Sequence, residues 1–337
     1  MKKISVVITI YKVELYIAAT VQSVLDQTYQ NFEILIIDDA SPDRSVEICR
    51  QFNDSRIRII QQENRGTAGA LNTGIRHSQG EYIALLDGDD LWLPEKLDRH
   101  VKHLENSPHV GVSFSRSAFI DEQGEHLNSY TRPKLKGFSV PDLLRSNPLG
   151  NGSAALYRRQ VFKDIEFRDN LRGYEENCYF DEQFYSVQDI ESLLRIALKT
   201  DWKIEGLSEP LTLYRVNTRG ASSNLVRNVE VWESLLDKLE NDNPEAISQW
   251  KTMSMAYHLR YFAQKGIRIR KGKAAVELIN QALTVHWRLL LEEPSSTITT
   301  FIAAYLLWLT PQAFYRQTEA FVLTIKGVIQ RPSKKYE

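Results

Sequence analysis

Cysteine is scarce in this chain. Only Cys49 and Cys178 occur in 337 residues, with no CxxC pair and no histidine-rich spacing around them. That excludes a disulfide framework and a thiolate metal site, and it fits a reduced, cytosolic setting. Neither sign of charge dominates: 42 Lys and Arg stand against 43 Asp and Glu, a net of −1. Nothing global therefore points to nucleic acid as a partner. No run reaches the ~18 apolar residues that a membrane span needs. The opening MKKISVVITIYK starts like a signal peptide, but Thr9, Tyr11 and Lys12 interrupt it early, so it reads as a first strand. No internal repeat or low-complexity stretch occurs.

The composition is otherwise ordinary, with 42% hydrophobic and 25% charged residues, enough for a sizeable core. The length suggests one large domain with an appendage. In the first half, strand-like runs (4–10, 32–37, 57–61, 82–86) alternate with helical patterns (14–25, 45–52, 68–76, 94–104). Pro94 stands where a first helical residue is expected. Such repeated units imply an α/β fold: a doubly wound, mainly parallel sheet with helices on both faces. Residues 111–115, 154–157 and 211–216 look extended and 190–198 helical. From about 225 helices alone are expected, at 229–239, 246–263, 273–291 and 297–309. Doubly wound sheets bind ligands at the carboxyl ends of their strands.

Two phosphate-binding devices are missing there. RGTAGALNTG carries Gly66, Gly69 and Gly74 without GxGxxG spacing, and it follows the third strand rather than opening a first βαβ unit. No GxxxxGK[ST] loop occurs. The loop after the fourth strand offers another device. In YIALLDGDDLW, Asp87, Asp89 and Asp90 repel each other by roughly 1 kcal/mol per pair in water, and more where water is scarce. Asp87 and Asp89 are two apart, so in an extended segment both side chains can share a face. Hard oxygen ligands of this kind suit Mg²⁺ or Mn²⁺, whose coordination substrate phosphates can complete.

The stretches SVVITIYKVELYI, SVLDQTYQNFEILIIDDASPD and ENRGTAGALNTGIRHSQGEYIALLDGDD together resemble the nucleotide-binding half of a glycosyltransferase family 2 enzyme of GT-A fold. The resemblance runs from residue 4 to about 105. It combines a TxY loop, a DDxS turn, an EN…LN…G segment and a DxD in order. It implies a GT-A domain over 1–224 (nucleotide-binding half 1–105, acceptor and catalytic half 106–224) and a helical C-terminal region over 225–337.

The resemblance also assigns roles. Thr9 and Tyr11 would line the base, and Asp39 would accept the uracil N3 hydrogen. Asp38 is either a ligand or a turn residue. Asn64 and Arg65 would contact base or ribose, Asp87 would lie near the ribose, Asp89 would ligate the metal, and Asp90 would orient its water. YSVQDIESLLRIAL, 100 positions on from Asp89, resembles the family's [E/Q]D motif at a helix start, with Asp189 as catalytic base at an exposed helix end. Glu191 is the local alternative, and Asp181 and Glu182 are weaker ones. Asn151, Gly152 and Ser153 would border the donor sugar. Asn217 stands where many relatives have His, leaving Arg215 or Arg219 as phosphate contacts.

The implied activity is inverting, metal-dependent (Mn²⁺ or Mg²⁺) transfer of one hexosyl or N-acetylhexosaminyl unit from a nucleotide sugar, UDP-linked by expectation, to a hydroxyl on a glycan or lipid-linked acceptor. Bacterial surface polysaccharide or glycoconjugate synthesis is the expected setting, non-processive because QxxRW is lacking. A sugar nucleotidyltransferase would want a glycine-rich basic loop at the first strand, which TIYKVELYI is not. The presence of Asp39, Asp89 and Asp189 together argues against a non-catalytic nucleotide-sugar-binding module. Residues 297–309 are too short to span a bilayer, but they are apolar and followed by Lys326, Arg331, Lys334 and Lys335. Peripheral contact with the cytoplasmic face of a membrane and a homodimer interface are both consistent with that.

Overall fold

The computed structural model describes residues 1–184, 186–216 and 225–310, and the chain divides into two compact units, 1–220 and 221–337. In the first unit β1 (Ile4–Ile10), β2 (Phe32–Asp39), β3 (Ile57–Gln62) and β4 (Tyr82–Asp87) run parallel. They alternate with α1 (Ile17–Leu25), α2 (Ser45–Cys49), α3 (Gly66–His77) and, after the short β5 (Leu91–Trp92), α4 (Lys96–Asn106). The apolar runs of β1, β2 and β4 are buried on both faces, β2 from end to end, whereas the edge strand β3 is only partly buried. α3 crosses β1 so closely that a Cβ on Gly74 would lie 2.2 Å from Val7 Cγ1; only glycine permits that approach.

The second half of the unit contributes β6 (Val110–Ile120), β7 (His126–Tyr130), α5 (Val140–Arg145), β8 (Ala155–Arg158), α6 (Arg159–Ile165), β9 (Phe167–Asp169), β10 (Glu176–Cys178), α7 (Gln188–Lys199) and β11 (Lys203–Arg215). The main sheet has the order β3-β2-β1-β4-β8-β6-β11-β5, with β7 on β6. β8 lies antiparallel between β4 and β6, and β11 runs parallel to β6. The sheet is thus parallel in its first half and mixed in its second.

Several boundaries differ from the sequence reading for local reasons. β2 and β4 continue through Asp39 and Asp87, because the neighbouring parallel strands carry the ladder that far. Pro94 is not the first residue of α4, which begins at Lys96; its carbonyl instead accepts from Thr28 N–H at 2.9 Å. β11 starts at Lys203 rather than 211 because it pairs along the whole of β6.

The second unit consists, among the described residues, of α8 (Leu225–Asp242), α9 (Pro244–Arg268), α10 (Gly272–Val285), α11 (Leu289–Glu292) and α12 (Pro294–Leu309). Its core gathers Trp232, Leu236, Ile247, Leu259, Phe262 and Ile279. The single helix expected over 273–291 is broken at His286, which leaves helical geometry and meets the Glu292 carboxylate at 3.1 Å. No helix of the described residues is long and apolar enough to cross a membrane. Asn217, Arg219 and the tail from Pro311, with Lys326, Arg331, Lys334 and Lys335, lie outside the described residues.

Candidate active site

Parallel register brings the loops after β1, β2, β3 and β4 to one edge. Thr9 pairs with Asp87, Ile10 with Asp38, and Asp39 with Gln62. The Thr9 carbonyl accepts from Gly88 N–H at 3.1 Å, and a Cβ at residue 88 would meet that same oxygen at 2.9 Å. Glycine is therefore what lets DGDD turn so tightly against β1. Two residues beside this edge, Lys12 (φ 57°) and Ala40 (φ 55°), hold the left-handed conformation that non-glycine residues rarely adopt.

Asp87 and Asp89 are half-buried, whereas Asp90 is fully buried. Burial, then the charges of Asp89 and Asp189, push the Asp87 carboxyl up to about 7. Every influence on it acts in the same direction, as expected of a donor set short of a positive charge. Burial also raises Asp89, against the nearby Arg215, and it raises Asp90 well above the carboxylate range. Hard oxygen donors in this state fit a divalent cation. Asp90, expected to orient a metal-bound water, instead accepts from Ser153 Oγ at 2.6 Å and from Arg215 N–H at 2.9 Å. Ser153 Oγ in turn accepts from Asp87 N–H at 3.0 Å. Arg215, expected at a phosphate, is buried over the Tyr16 ring and donates to the carbonyls of Asp89 (2.9 Å) and Asp121 (2.8 Å). It holds the acidic turn from behind. Beneath lies Lys96, fully buried and donating to Ala154 O (2.9 Å) and Thr212 Oγ1 (3.0 Å).

On the base side, Asp39 Oδ1 accepts from Gln62 Nε2 and Arg65 N–H, both at 2.7 Å, and Oδ2 accepts from Gly66 N–H at 2.8 Å. The carboxylate thus caps α3, and one acceptor position of Oδ2 remains. Asp38 is the turn residue, accepting from Ser41 N–H (2.9 Å) and Gln61 Nε2 (3.0 Å). Asn64 donates to the Asp39 carbonyl at 3.0 Å. The Arg65 guanidinium, expected at base or ribose, is buried between Glu176 and Glu182. Glu176, Cys178 and Glu182 bring possible ligand atoms within 4.8 Å of one another. Arg65, Arg76 (3.1 Å) and Arg172 (3.4 Å) already neutralise these two carboxylates, so this is an ion-pair cluster rather than a cation site. Tyr11 is 44% exposed, with Lys12 Nζ 5.0 Å from its ring centre, which leaves it free to present a stacking surface.

Asp189 is the second residue of α7 and is half-buried, not exposed as its helix-end position suggested. Burial raises its carboxyl, opposed by the Ile190 N–H (2.9 Å) and the Asn147 amide (2.5 Å). Its charge raises the Asp87 carboxyl of β4 and the Tyr157 hydroxyl of β8, and one loop hydrogen-bonds both acids, through Asn147 to Asp189 (2.5 Å) and through Ser153 to Asp87 N–H (3.0 Å). Glu191 is fully buried against Arg195 (2.7 Å), which removes it as a rival. Asp181 is buried and caps the turn at Gln183 (2.9 Å), and Glu182 belongs to the arginine cluster. Asn151 is buried, donates to Ser117 Oγ at 2.8 Å, and leaves Oδ1 without a partner, while a Cβ on Gly152 would lie 4.0 Å from Asp87 Oδ2. Asn147 and Lys96 escaped sequence reading, because no local pattern marks an amide or a lysine whose partners lie far along the chain.

The family description Glycosyl transferase family 2 matches residues 5–166. EpsE of Bacillus subtilis, named as a glycosyltransferase, is 31% identical over 207 residues, covering 56% of this chain and 73% of that one. The chain belongs to glycosyltransferase family 2. A further glycosyltransferase by name, from Rickettsia bellii, is 32% identical over 185 residues, covering 52% of this family 2 chain and 25% of its own. The chain thus spans about a quarter of that relative's length. Among solved structures, S. aureus TarS 1–349 in complex with UDP-GlcNAc superposes with a TM-score of 0.60 at 17% identity, covering 94% of this chain and 92% of that one. The mannosyltransferase PcManGT from Pyrobaculum calidifontis, in complex with GDP-Man and Mn²⁺, gives 0.54 at 19%, covering 90% and 86%. At these identities the likeness shows the fold, which is of GT-A type.

Proposed function

We propose that this protein transfers a single sugar, with inversion, from a nucleotide-sugar donor to a hydroxyl acceptor, using a divalent metal. UDP is the expected nucleotide and a hexosyl or N-acetylhexosaminyl group the expected cargo. The observation that carries the reading is the loop that hydrogen-bonds Asp189 through Asn147 (2.5 Å) and the DGDD turn through Ser153, which accepts from Asp87 N–H (3.0 Å) and donates to Asp90 (2.6 Å). Asp89, with Asp87 beside it, would hold the cation, and a bound cation supplies neutralisation of the leaving diphosphate. Thr9 and Tyr11 border the base, and the remaining acceptor position of Asp39 serves the uracil N3–H. The Asp189 carboxylate takes the proton of the acceptor hydroxyl while the hydroxyl oxygen bonds to the anomeric carbon and the bond from that carbon to the leaving diphosphate breaks. Such base assistance is worth ~10²–10⁴ in rate, and a carboxylate raised by burial is better matched to neutral pH. TarS bound to UDP-GlcNAc and PcManGT bound to GDP-Man and Mn²⁺ support donor class and metal.

The test is donor hydrolysis and transfer across UDP-glucose, UDP-N-acetylglucosamine and GDP-mannose with Mn²⁺ or with EDTA. Asp189→Asn is expected to bind donor normally and lose at least about a hundredfold in turnover, while Asp89→Ala should lose Mn²⁺-dependent binding. Full turnover in Asp189→Asn would remove Asp189 as base. The setting we propose is non-processive polysaccharide or glycoconjugate synthesis in the cytoplasm. The exposed Ile298, Ile302, Trp308 and Leu309 of α12 offer an apolar face for a membrane bearing a lipid-linked acceptor or for a second copy. Liposome co-sedimentation and sedimentation velocity separate those two occupants.

A further inference from the structure

A single loop touches both sides of the acid site. Residues 146–153, between α5 and β8, send Asn147 Nδ2 to Asp189 Oδ2 (2.5 Å), Asn151 Nδ2 to Ser117 Oγ (2.8 Å) and Ser153 Oγ to Asp90 Oδ2 (2.6 Å). The loop is not free to drift. Leu149 is fully buried, Pro148 is buried, and proline confines the residue before it, Asn147, to extended backbone. Leu149 N–H donates to Asn147 Oδ1 at 3.0 Å. A backbone N–H can only donate, so this bond decides which end of the Asn147 amide is oxygen, and the NH₂ must face Asp189.

We propose that Asn147 is a positioning residue, locking the Asp189 carboxylate in the one orientation that serves the acidic turn at Asp87–Asp90. This rests on Asp189 acting as base. The two carboxylate oxygens are pinned separately, Oδ1 by Ile190 N–H and Oδ2 by Asn147, which fixes the plane of the group and leaves acceptor capacity for an incoming hydroxyl. Among the described residues, the titratable groups acting with Asp189 are Asp87 from β4 and Tyr157 from β8. Neither offers a positive charge, and Asp87 offers a like one. A neutral N–H donor then favours the ionised form of the base and orients it without adding a cation that would compete for the substrate's phosphates.

Full-length Asn147→Ala and Asn147→Asp test this. The aspartate keeps the shape and can still accept from Leu149 N–H, so it guards against a folding defect, but it cannot donate when ionised and it repels. Carbon-13 carboxyl NMR of the metal-free protein, with the Asp189 signal assigned by its loss in Asp189→Asn, should show that group titrating about one pH unit higher in Asn147→Ala and further still in Asn147→Asp. Turnover of the accepted donor should fall about tenfold at neutral pH, with the acid limb of the rate profile moved up equally and UDP–Mn²⁺ affinity unchanged. An Asp189 signal that stays in place in both variants overturns the proposal. Full turnover in Asp189→Asn overturns the base assignment instead, whatever the signal does.

Discussion

Ser153 carries more of the acid site than its size suggests. Its hydroxyl accepts from Asp87 N–H and donates to the Asp90 carboxylate, which also accepts from Arg215 N–H. Ser153→Ala leaves a fully buried carboxyl short of a donor. Such a loss costs about 1–3 kcal/mol, read by urea unfolding, and should weaken Mn²⁺-dependent UDP binding by calorimetry. Stability and binding both unchanged would mean that water replaces the hydroxyl. Most acids of the site could be read in the sequence because carboxylates are rare at the ends of apolar strands and so stand out. Their working state could not. Asp90 was expected beside a water and instead staples β11 to the turn, and Arg65 was expected at the base or ribose and instead neutralises Glu176 and Glu182. Residue type announces a charge; what satisfies that charge is settled by neighbours far along the chain.

At the scale of elements, α8 and α9 meet through a flat stack of Trp232 on His258, with ring centres 3.4 Å apart and the imidazole Nδ1 donating to Ser254 O at 3.1 Å. Burial pushes the His258 imidazole down from 6.5 to about 3. Between those values the unfolded chain binds a proton that the folded helices refuse, so stability falls as pH drops below 6.5. The slope is up to about 1.4 kcal/mol per pH unit. Melting temperatures across pH 4–7 should show it, and His258→Gln should flatten it; an unflattened slope assigns the effect elsewhere. His100 on α4, also depressed by burial, acts with the same sign in the first unit. Helices and strands with strong periodicity were legible in outline. Their ends were not, since β2, β4 and β11 are extended by partner strands and the helix over 273–291 is broken by a local contact at His286.

For the whole molecule, the family match and all the proposed site residues fall within residues 1–220. That fragment should therefore fold and bind UDP with Mn²⁺ comparably to the full chain, by calorimetry. A loss beyond about tenfold, or ~1.4 kcal/mol, would give residues 221–337 a part in donor binding. The alternation of strands and helices over the first hundred residues, the acidic turn and the family were written locally, in periodicity and in motifs a few residues long, whereas the short elements β5, β7, α5, α6, β9 and β10 were not. The placement of β8 antiparallel between β4 and β6 was not, because pairing depends on which edges are free once the parallel half has formed. Nor was the meeting of Asp189 with Asp87, or the loop from Asn147 to Ser153 that ties both to one frame. Those are contacts across long stretches of chain, and they exist only where packing of the sheet and its helices brings the strand ends together.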